Sequence, residues 1–182
     1  MQPIETARLI IRNFRRSDGE GLYAYLREPV ASCFLSMRLE SLEAAEAEAG
    51  KRGLDDEYLA VTLKETGALI GDVFAMQEED TWSVGWNFNP AYGGAGYALE
   101  AARALFTHLF TTCKARRVYA YVEDHNMASQ RLCEKLGMRK EGLFLDYISF
   151  RNDAAGNPVY ENTFQFALLR KEWVRGLTLP EG

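Results

Sequence analysis

The strongest indication of a binding site comes from three glycines, Gly93, Gly94 and Gly96, which stand between a strand pattern and a helix pattern. Residues 82–88 are rich in aromatic and β-branched types, which is typical of a short strand. From Tyr97 onward, apolar residues recur at helical spacing without an intervening glycine or proline. A glycine-rich turn that opens a helix presents free backbone N–H groups to a ligand. The pattern therefore predicts an anion site, and a flexible loop without a ligand is the simpler alternative.

A second polar block lies at residues 124–126, directly before a helix pattern that runs from Met127 to Leu136. Asn126 has the side chain expected of a helix N-cap, and Ser129 lies in the first turn of that helix. Gly137 follows the last helical residue, which is the usual position of a C-terminal glycine. This second block therefore has a plain structural interpretation as a capped helix.

The rest of the chain supplies the elements that must position these two blocks. Residues 58–76 contain two strand patterns joined by a hairpin turn, and another turn leads into the strand at 82–88. The middle of the chain is thus an antiparallel meander, whereas the helix after Tyr97 makes the strand at 117–123 parallel to the one at 82–88. Further strands are predicted at 8–14, 141–150 and 159–169, and further helices at 17–26, with Ser17 and Glu20 as a capping box, and at 41–49.

The composition of the 182-residue chain limits its class. A hydrophobic fraction of 47% supports one core, so we expect a single domain over residues 1–182. A formal net charge of −5 argues against nucleic-acid binding, which favours a basic surface. The three cysteines form no CxxC pair and there are only two histidines, a composition that indicates neither a disulfide framework nor a metal site. Without a leader pattern or an apolar run of membrane-spanning length, we expect a cytoplasmic protein with no membrane partner.

Two blocks in one order and at one spacing carry a family resemblance. They are PAYGGAGYALEA at 90–101 and NMASQRLCEKLGM at 126–138. Together they resemble the GCN5-related N-acetyltransferases (GNAT), and within them the ribosomal-protein N-terminal acetyltransferase-like (RimJ/RimL-type) branch. The ends of the chain, ETARLIIR at 5–12 and LLRKEW at 168–173, are similar to the same branch. The resemblance implies a GNAT fold of the α/β (α+β) class. This is a mixed, mostly antiparallel sheet of about six to seven strands flanked by helices, with a splayed parallel strand pair.

The resemblance implies acetyl-CoA as co-substrate and an amine as acceptor, with no metal. It is compatible with either a monomer or a homodimer. In the family, the pyrophosphate lies on a loop written Gln/Arg-x-x-Gly-x-Gly/Ala, which corresponds here to Gly93, Gly94, Ala95, Gly96, Tyr97 and Ala98. Gly93 departs from the pattern because it lacks the side chain that would contact a phosphate. A backbone N–H among Trp86, Asn87 and Phe88 would polarise the thioester carbonyl. Asn126 corresponds to the residue that holds the pantetheine arm.

The resemblance also assigns roles in proton transfer. Many relatives use a tyrosine as the acid that protonates the departing thiolate, but the spacing from Asn126 places Cys133 at that position. In the ribosomal-protein-like branch, a serine three residues after the asparagine is the proposed acid. Ser129 matches it, with an ordinary first-turn serine as the alternative. Asp80, just before the strand at 82–88, is a candidate base, and Asp72, Glu161 or a chain of water molecules are alternatives.

Two other functions stay open at this point. Gly93 and the missing tyrosine are compatible with a non-catalytic acyl-CoA-binding module of the same fold. The Gly94-x-Gly96 spacing after a strand imitates a dinucleotide-binding oxidoreductase, but Leu99 stands where the third glycine would be. Three classes of amine acceptor stay open: protein N-termini, small amines such as polyamines, and aminoglycoside-like antibiotics. Acidic runs at 43–48 and 55–57 favour a cationic amine slightly, although such runs are usually solvated.

Overall fold

A computed structural model gives the structure of the protein and describes residues 1–178. The strands are β1 (Ile4–Glu5), β2 (Leu9–Asn13), β3 (Tyr58–Leu63), β4 (Leu69–Glu78), β5 (Thr81–Phe88), β6 (Arg117–Glu123), β7 (Arg139–Asn152) and β8 (Pro158–Leu169). The helices are α1 (Gly19–Leu26), α2 (Leu42–Arg52), α3 (Tyr97–Thr111), α4 (Met127–Lys135) and α5 (Arg170–Thr178). No helix within residues 1–178 is long and apolar enough to cross a membrane.

The strands form one sheet in the order β1-β2-β3-β4-β5-β6-β8-β7. β5 and β6 are parallel, because α3 carries the chain back along the sheet between them, and the other neighbouring strands are antiparallel. The predicted mixed, mostly antiparallel sheet with one parallel pair is therefore confirmed. The sheet has eight strands, one more than the sequence indicates, because β1 is only two residues long and leaves no pattern to detect.

Successive side chains of a strand point to opposite faces of the sheet, so apolar residues form a core on each face. Leu59 and Val61 of β3 belong to the larger core, whereas Ala60 between them belongs to the smaller core under α1 and α2. α3 covers the larger core with six buried side chains: Ala101, Ala102, Leu105, Phe106, Leu109 and Phe110. Helices on both faces therefore hold the central strands in place.

The parallel strand pair separates after three residue pairs. β5 pairs with β6 only at residues 81–83 and 117–119, while β4 follows β5 as far as Phe88 and β8 follows β6 as far as Glu123. The sheet thus consists of two halves that are joined at one end and open at the other. Residues 84–88 of β5 have no strand partner on the β6 side, which confirms the predicted splay.

One local feature, the cap before α1, differs from the sequence interpretation. The expected capping box of Ser17 and Glu20 is wrong, because Asp18 takes the capping role: its carboxylate accepts the Arg15 backbone N–H, and α1 begins at Gly19. Arg12 fixes Asp18 in this role through two hydrogen bonds of 2.8 Å. A 3-10 helix, Ser32–Met37, lies between α1 and α2 and packs its phenylalanine into the smaller core.

Candidate active site

The glycine loop lies at the open end of the splay, directly before α3. Gly94 and Gly96 have φ angles of 79° and 80°, which residues with a Cβ atom rarely adopt. Gly96 is the N-cap of α3, and a short 3-10 helix at Pro90–Tyr92 carries the chain from β5 into the loop. These two glycines are therefore required by the backbone path, which presents the first N–H groups of α3 to the surface.

These N–H groups face a groove, here called the glycine-loop groove, which runs between the loop, β5 and α4 and encloses about 460 Å³. Most residues predicted to bind the co-substrate line it: Trp86, Asn87, Phe88, Gly93, Gly94, Gly96, Tyr97, Ala98, Asn126 and Ser129. Ala95 is not among the lining residues, and its carbonyl oxygen accepts a hydrogen bond of 2.9 Å from Arg8. The structure thus brings the two sequence blocks together along one groove.

Arg8, which precedes β2, ties the loop to the sheet. Its Nε donates to Glu100 at 2.7 Å, and its guanidinium lies 4.4 Å from the centroid of the Tyr97 ring. Glu100 also accepts the Thr6 hydroxyl at 2.6 Å. Burial opposes ionisation of Glu100, but the hydrogen bonds from Thr6 and Arg8 outweigh it and lower the pKa of this carboxyl. A charged carboxylate in the first turn of α3 also suits the helix dipole.

Two cations face the glycine-loop groove from α4. Arg131 and Lys135 both line it, and their i,i+4 spacing places them on one face of the helix. Both side chains are exposed and can reach an anionic ligand. Sequence reasoning misses them because basic residues on a helix are usually solvated. The available signal is their position on the same helix as Asn126.

A second cavity, here called the aromatic cavity, adjoins the groove and encloses about 290 Å³. Six aromatic side chains line it: Phe34, Phe74, Trp86, Tyr121, Tyr147 and Phe150. Phe74 of β4 lies opposite Gly85 of β5, and a Cβ atom at Gly85 would stand 2.1 Å from the Phe74 ring. Tyr121 and Tyr147 stack with ring centroids 5.5 Å apart. No local sequence pattern predicts this cavity, because its walls come from separate strands.

One carboxylate lies in the wall of the aromatic cavity. It belongs to Glu123, the last residue of β6, which is only 5% exposed. Burial together with the nearby negative charge of Glu123 raises the pKa of the Cys33 thiol far above its usual range. Sequence reasoning does not place Glu123 in an acetyltransferase site, since its position at a strand end only imitates the acidic residue of a dinucleotide-binding fingerprint.

Four residues line both the groove and the cavity: Phe34, Trp86, Asn126 and Ser129. The last three carry the polar groups of this junction. Asn126 is the N-cap of α4, because its Oδ1 accepts the Ser129 backbone N–H at 3.1 Å. The indole Nε1 of Trp86 donates to Ser129 Oγ at 3.2 Å. A hydroxyl can accept and donate at once, so Ser129 keeps its own proton available for a ligand.

The structure does not bring Asp80 to this junction. Asp80 lies in the turn between β4 and β5, at the joined end of the splay, and does not line the groove or the cavity. It pairs with Arg116 at 2.6 Å, and the hydrogen bond from this guanidinium lowers the pKa of Asp80. An exposed, ion-paired carboxylate at this place has a local structural role.

The other two carboxylates considered as bases are also occupied. Asp72 is buried in the smaller core, where Tyr25 donates to it at 2.6 Å, and burial raises its pKa. Glu161 accepts the Ser32 hydroxyl at 2.6 Å outside the lining of the aromatic cavity. Within residues 1–178, no group of three or more His, Cys, Asp or Glu side chains is placed to hold a metal ion.

The site combines three chemical capacities along one continuous path. The glycine-loop groove offers helix N-terminal N–H groups and two cations to an anion. The junction offers the Ser129 hydroxyl, and the aromatic cavity offers a buried carboxylate between apolar walls. A long ligand with phosphates at one end can therefore present its other end to both Ser129 and Glu123.

Comparison with known proteins agrees with this geometry. The family model for an acetyltransferase (GNAT) domain matches residues 8–139. YnaD of Bacillus subtilis (strain 168), an uncharacterized N-acetyltransferase, is 32% identical over 173 residues, covering 93% of this chain and 98% of that protein. A solved GNAT-family acetyltransferase from Bacillus anthracis has a TM-score of 0.84 and 29% identity, covering 94% of this chain and 100% of that one.

A more distant likeness concerns the fold alone. The RimL ribosomal L7/L12 α-N-protein acetyltransferase, solved in complex with coenzyme A, has a TM-score of 0.70 at 15% identity, covering 92% of this chain and 98% of that one. The family match at 8–139 includes the glycine loop, the splayed strands and the whole of α4. The protein therefore belongs to the GNAT family of N-acetyltransferases.

Proposed function

We propose that the protein transfers an acetyl group from acetyl-CoA to a primary amine by direct attack of the amine on the thioester. The observation that carries this proposal is that the glycine-loop groove and the aromatic cavity meet at Trp86, Asn126 and Ser129. A CoA chain in the groove would end at this junction, and an amine in the cavity would reach it from the other side. Family membership and the CoA-bound fold relative support the choice of donor.

In this proposal the donor is held mainly by backbone groups and cations. The pyrophosphate lies on the first N–H groups of α3, where the glycines keep Cβ atoms away and the helix dipole favours negative charge. Arg131 and Lys135 supply the positive charge that Gly93 does not. The pantetheine arm pairs with residues 84–88, held by Asn126, and a backbone N–H among residues 86–88 polarises the thioester carbonyl.

The proton path uses Glu123 and Ser129. The amine nitrogen bonds to the carbonyl carbon while its proton passes to Glu123, which lines the cavity where Asp80, Asp72 and Glu161 do not. As the carbonyl re-forms, the carbon–sulfur bond breaks, Ser129 gives its proton to the leaving thiolate, and the serine regains a proton from solvent. An alkyl amine with a pKa of ~10.4 is mostly protonated at pH 7, so it binds as an ammonium ion. It loses one proton to solvent to become the nucleophile and gives the second proton to Glu123 as it attacks.

Direct attack is favoured over an acyl-enzyme intermediate because neither Cys33 nor Cys133 is activated. Cys33 lines the cavity, but burial and the Glu123 charge raise its pKa and so suppress its thiolate. Burial raises the pKa of Cys133 to about 12, and this residue is wholly enclosed in the core. Acetyl-CoA and the amine must therefore be bound at the same time.

The proposal is tested by following CoA thiol release from acetyl-CoA with a panel of amines, and by identifying the product by mass spectrometry. The panel includes peptides, polyamines, aminoglycosides and simple aryl and alkyl amines. We expect an acetyl group on the amine of at least one class. Binding of acetyl-CoA without transfer to any of them would favour the non-catalytic module, and no binding of acetyl-CoA would refute the proposal.

A further inference from the structure

We infer that the acceptor is a compact primary amine with a single ammonium group and an apolar, preferably aromatic, body. This inference rests on the proposed function, because it names the kind of amine that enters the aromatic cavity. Polyamines, aminoglycosides and peptide N-termini are the acceptors against which it is tested.

The walls of the aromatic cavity support this inference through their chemistry. Aromatic rings enter the cavity from β4, β5, β6, β7 and the 3-10 helix Ser32–Met37. At its exposed side, the ring of Tyr121 stacks on Tyr147 and stands edge-on to Phe144, with a centroid separation of 6.1 Å. Aromatic faces stack with a ligand ring and attract an ammonium group. The walls therefore suit an amine whose body is itself apolar.

The charge inside the aromatic cavity limits the number of ammonium groups that it can bind. Glu123 is the one charged side chain among the described residues that line the cavity. Glu161, which is also buried, lies outside the lining and already has Ser32 and Arg151 as partners. A polyamine or an aminoglycoside carries several ammonium groups, and each one enclosed without a carboxylate would lose its hydration uncompensated. One carboxylate thus matches one ammonium.

A buried hydroxyl next to Glu123 supports the same kind of ligand. Thr163 lines the cavity and is 3% exposed, and its Oγ1 has no hydrogen-bond partner among the described residues. A buried polar group without a partner destabilises a fold, so native proteins rarely retain one without a reason. Thr163 lies directly opposite Glu123 across the β6–β8 pair, where side chains share one face. An ammonium held by Glu123 therefore lies beside Thr163, whose enclosed hydroxyl can accept one of its three N–H groups once the side chain turns toward the cavity.

The volume of the aromatic cavity limits the size of the acceptor. The cavity of about 290 Å³ is at the lower end of the roughly 300–1,000 Å³ that is typical of small-molecule sites. Phe74 fills part of its floor, in the space that Gly85 leaves. One ring on a short alkyl chain suits this volume, whereas a multi-ring aminoglycoside does not.

The inference is tested by measuring kcat/KM at saturating acetyl-CoA for 2-phenylethylamine, ethanolamine, spermidine and a peptide that begins with alanine. We expect 2-phenylethylamine to exceed ethanolamine by ~10- to 100-fold, the gain from burying one aromatic ring, and to exceed the other two. If spermidine or the peptide is the better substrate, the inference is wrong and the proposed function stands. If no amine is acetylated, both are wrong.

Thr163→Val separates a role in binding from a role in packing, because valine keeps the shape and removes the hydroxyl. If the hydroxyl serves the ammonium, the variant should have a higher Tm, since an unpaired group is gone, and a kcat/KM for 2-phenylethylamine lower by ~10-fold. An unchanged kcat/KM would overturn the assignment of the ammonium to Glu123 and Thr163.

Tyr147→Ala tests the aromatic wall, with Tyr160→Ala as the matched control. Tyr160 is also an exposed tyrosine, on β8, but it does not line the aromatic cavity. Tyr147→Ala should lower the preference for 2-phenylethylamine over ethanolamine by ~2- to 10-fold, and Tyr160→Ala should leave it unchanged. Equal preferences in the two variants would contradict stacking of the substrate on Tyr147.

Discussion

The glycine-loop groove and the aromatic cavity share four lining residues but are built in opposite ways. The groove takes its chemistry from the backbone: two glycines with positive φ, the first N–H groups of α3 and the unpaired edge of β5. The cavity takes its chemistry from side chains, namely six aromatic rings and the Glu123 carboxylate. Substitutions can therefore change the acceptor preference of the cavity while the groove keeps the same donor.

Glu123→Gln tests whether the cavity alone handles the proton of the amine. The amide has the same size but cannot take up the proton, so turnover should fall by ~100- to 10,000-fold. The Kd of acetyl-CoA should not change, because Glu123 lies outside the groove lining. Steady-state kinetics and calorimetric titration measure these two quantities. Glu161→Gln is the control, since Glu161 is also buried but does not line the cavity, and equal losses in both variants would contradict the role of Glu123.

Ser129→Ala examines the junction, where the two regions must act together. Loss of the hydroxyl removes the proton donor for the thiolate, so the single-turnover rate should fall by ~10- to 1,000-fold with little change in acetyl-CoA binding. Rapid-quench measurement at saturating substrates reports the chemical step directly. A single-turnover rate equal to that of the unmodified protein would remove Ser129 from the acid role.

Gly96→Val should damage the groove and spare the cavity. Valine at a φ of 80° strains the backbone by ~1–3 kcal/mol and places methyl groups where the phosphates would lie, so acetyl-CoA should bind ~10- to 100-fold more weakly. Gly67→Val is the matched control, because Gly67 has a φ of 72° in the turn between β3 and β4, with open space around it. Calorimetry measures the affinity and thermal unfolding measures the strain. An equal loss of affinity in the control would mean that strain alone, and not the groove, is responsible.

Trp86→Phe makes the smallest expected change and shows how the two regions are aligned. Phenylalanine keeps an aromatic ring in both linings but removes the N–H that donates to Ser129, so kcat should fall by ~3- to 10-fold, as for one lost neutral hydrogen bond. Trp82→Phe on the same strand is the control, since Trp82 packs against the core and lines neither region. A larger effect of Trp82→Phe on kcat would contradict the positioning role of Trp86.

The groove could be predicted from the sequence because its parts are local. Gly94 and Gly96 follow a strand and open a helix within one short stretch, and Asn126 begins the next helix in the same way. Arg131 and Lys135 escape prediction because their direction depends on how α4 packs, and no pattern distinguishes them from solvated residues.

The cavity could not be predicted because it depends on strand register. Glu123 and Thr163 become neighbours only through the pairing of β6 with β8, which a single sequence does not specify. Asp18 illustrates the same limit at the level of a helix cap. Ser17 fits the local pattern equally well, and Arg12 on the preceding strand β2 decides between them.

The 3-10 helix Ser32–Met37 and the residues before it form a wall that both regions share. Val30 and Ala31 line the groove, Cys33 and Met37 line the cavity, and Phe34 lines both. When one substrate is bound, the position of this segment therefore also sets the shape of the region that binds the other substrate. Thermodynamic linkage requires the effect to be reciprocal: acetyl-CoA changes the affinity for the amine by the same factor as the amine changes the affinity for acetyl-CoA.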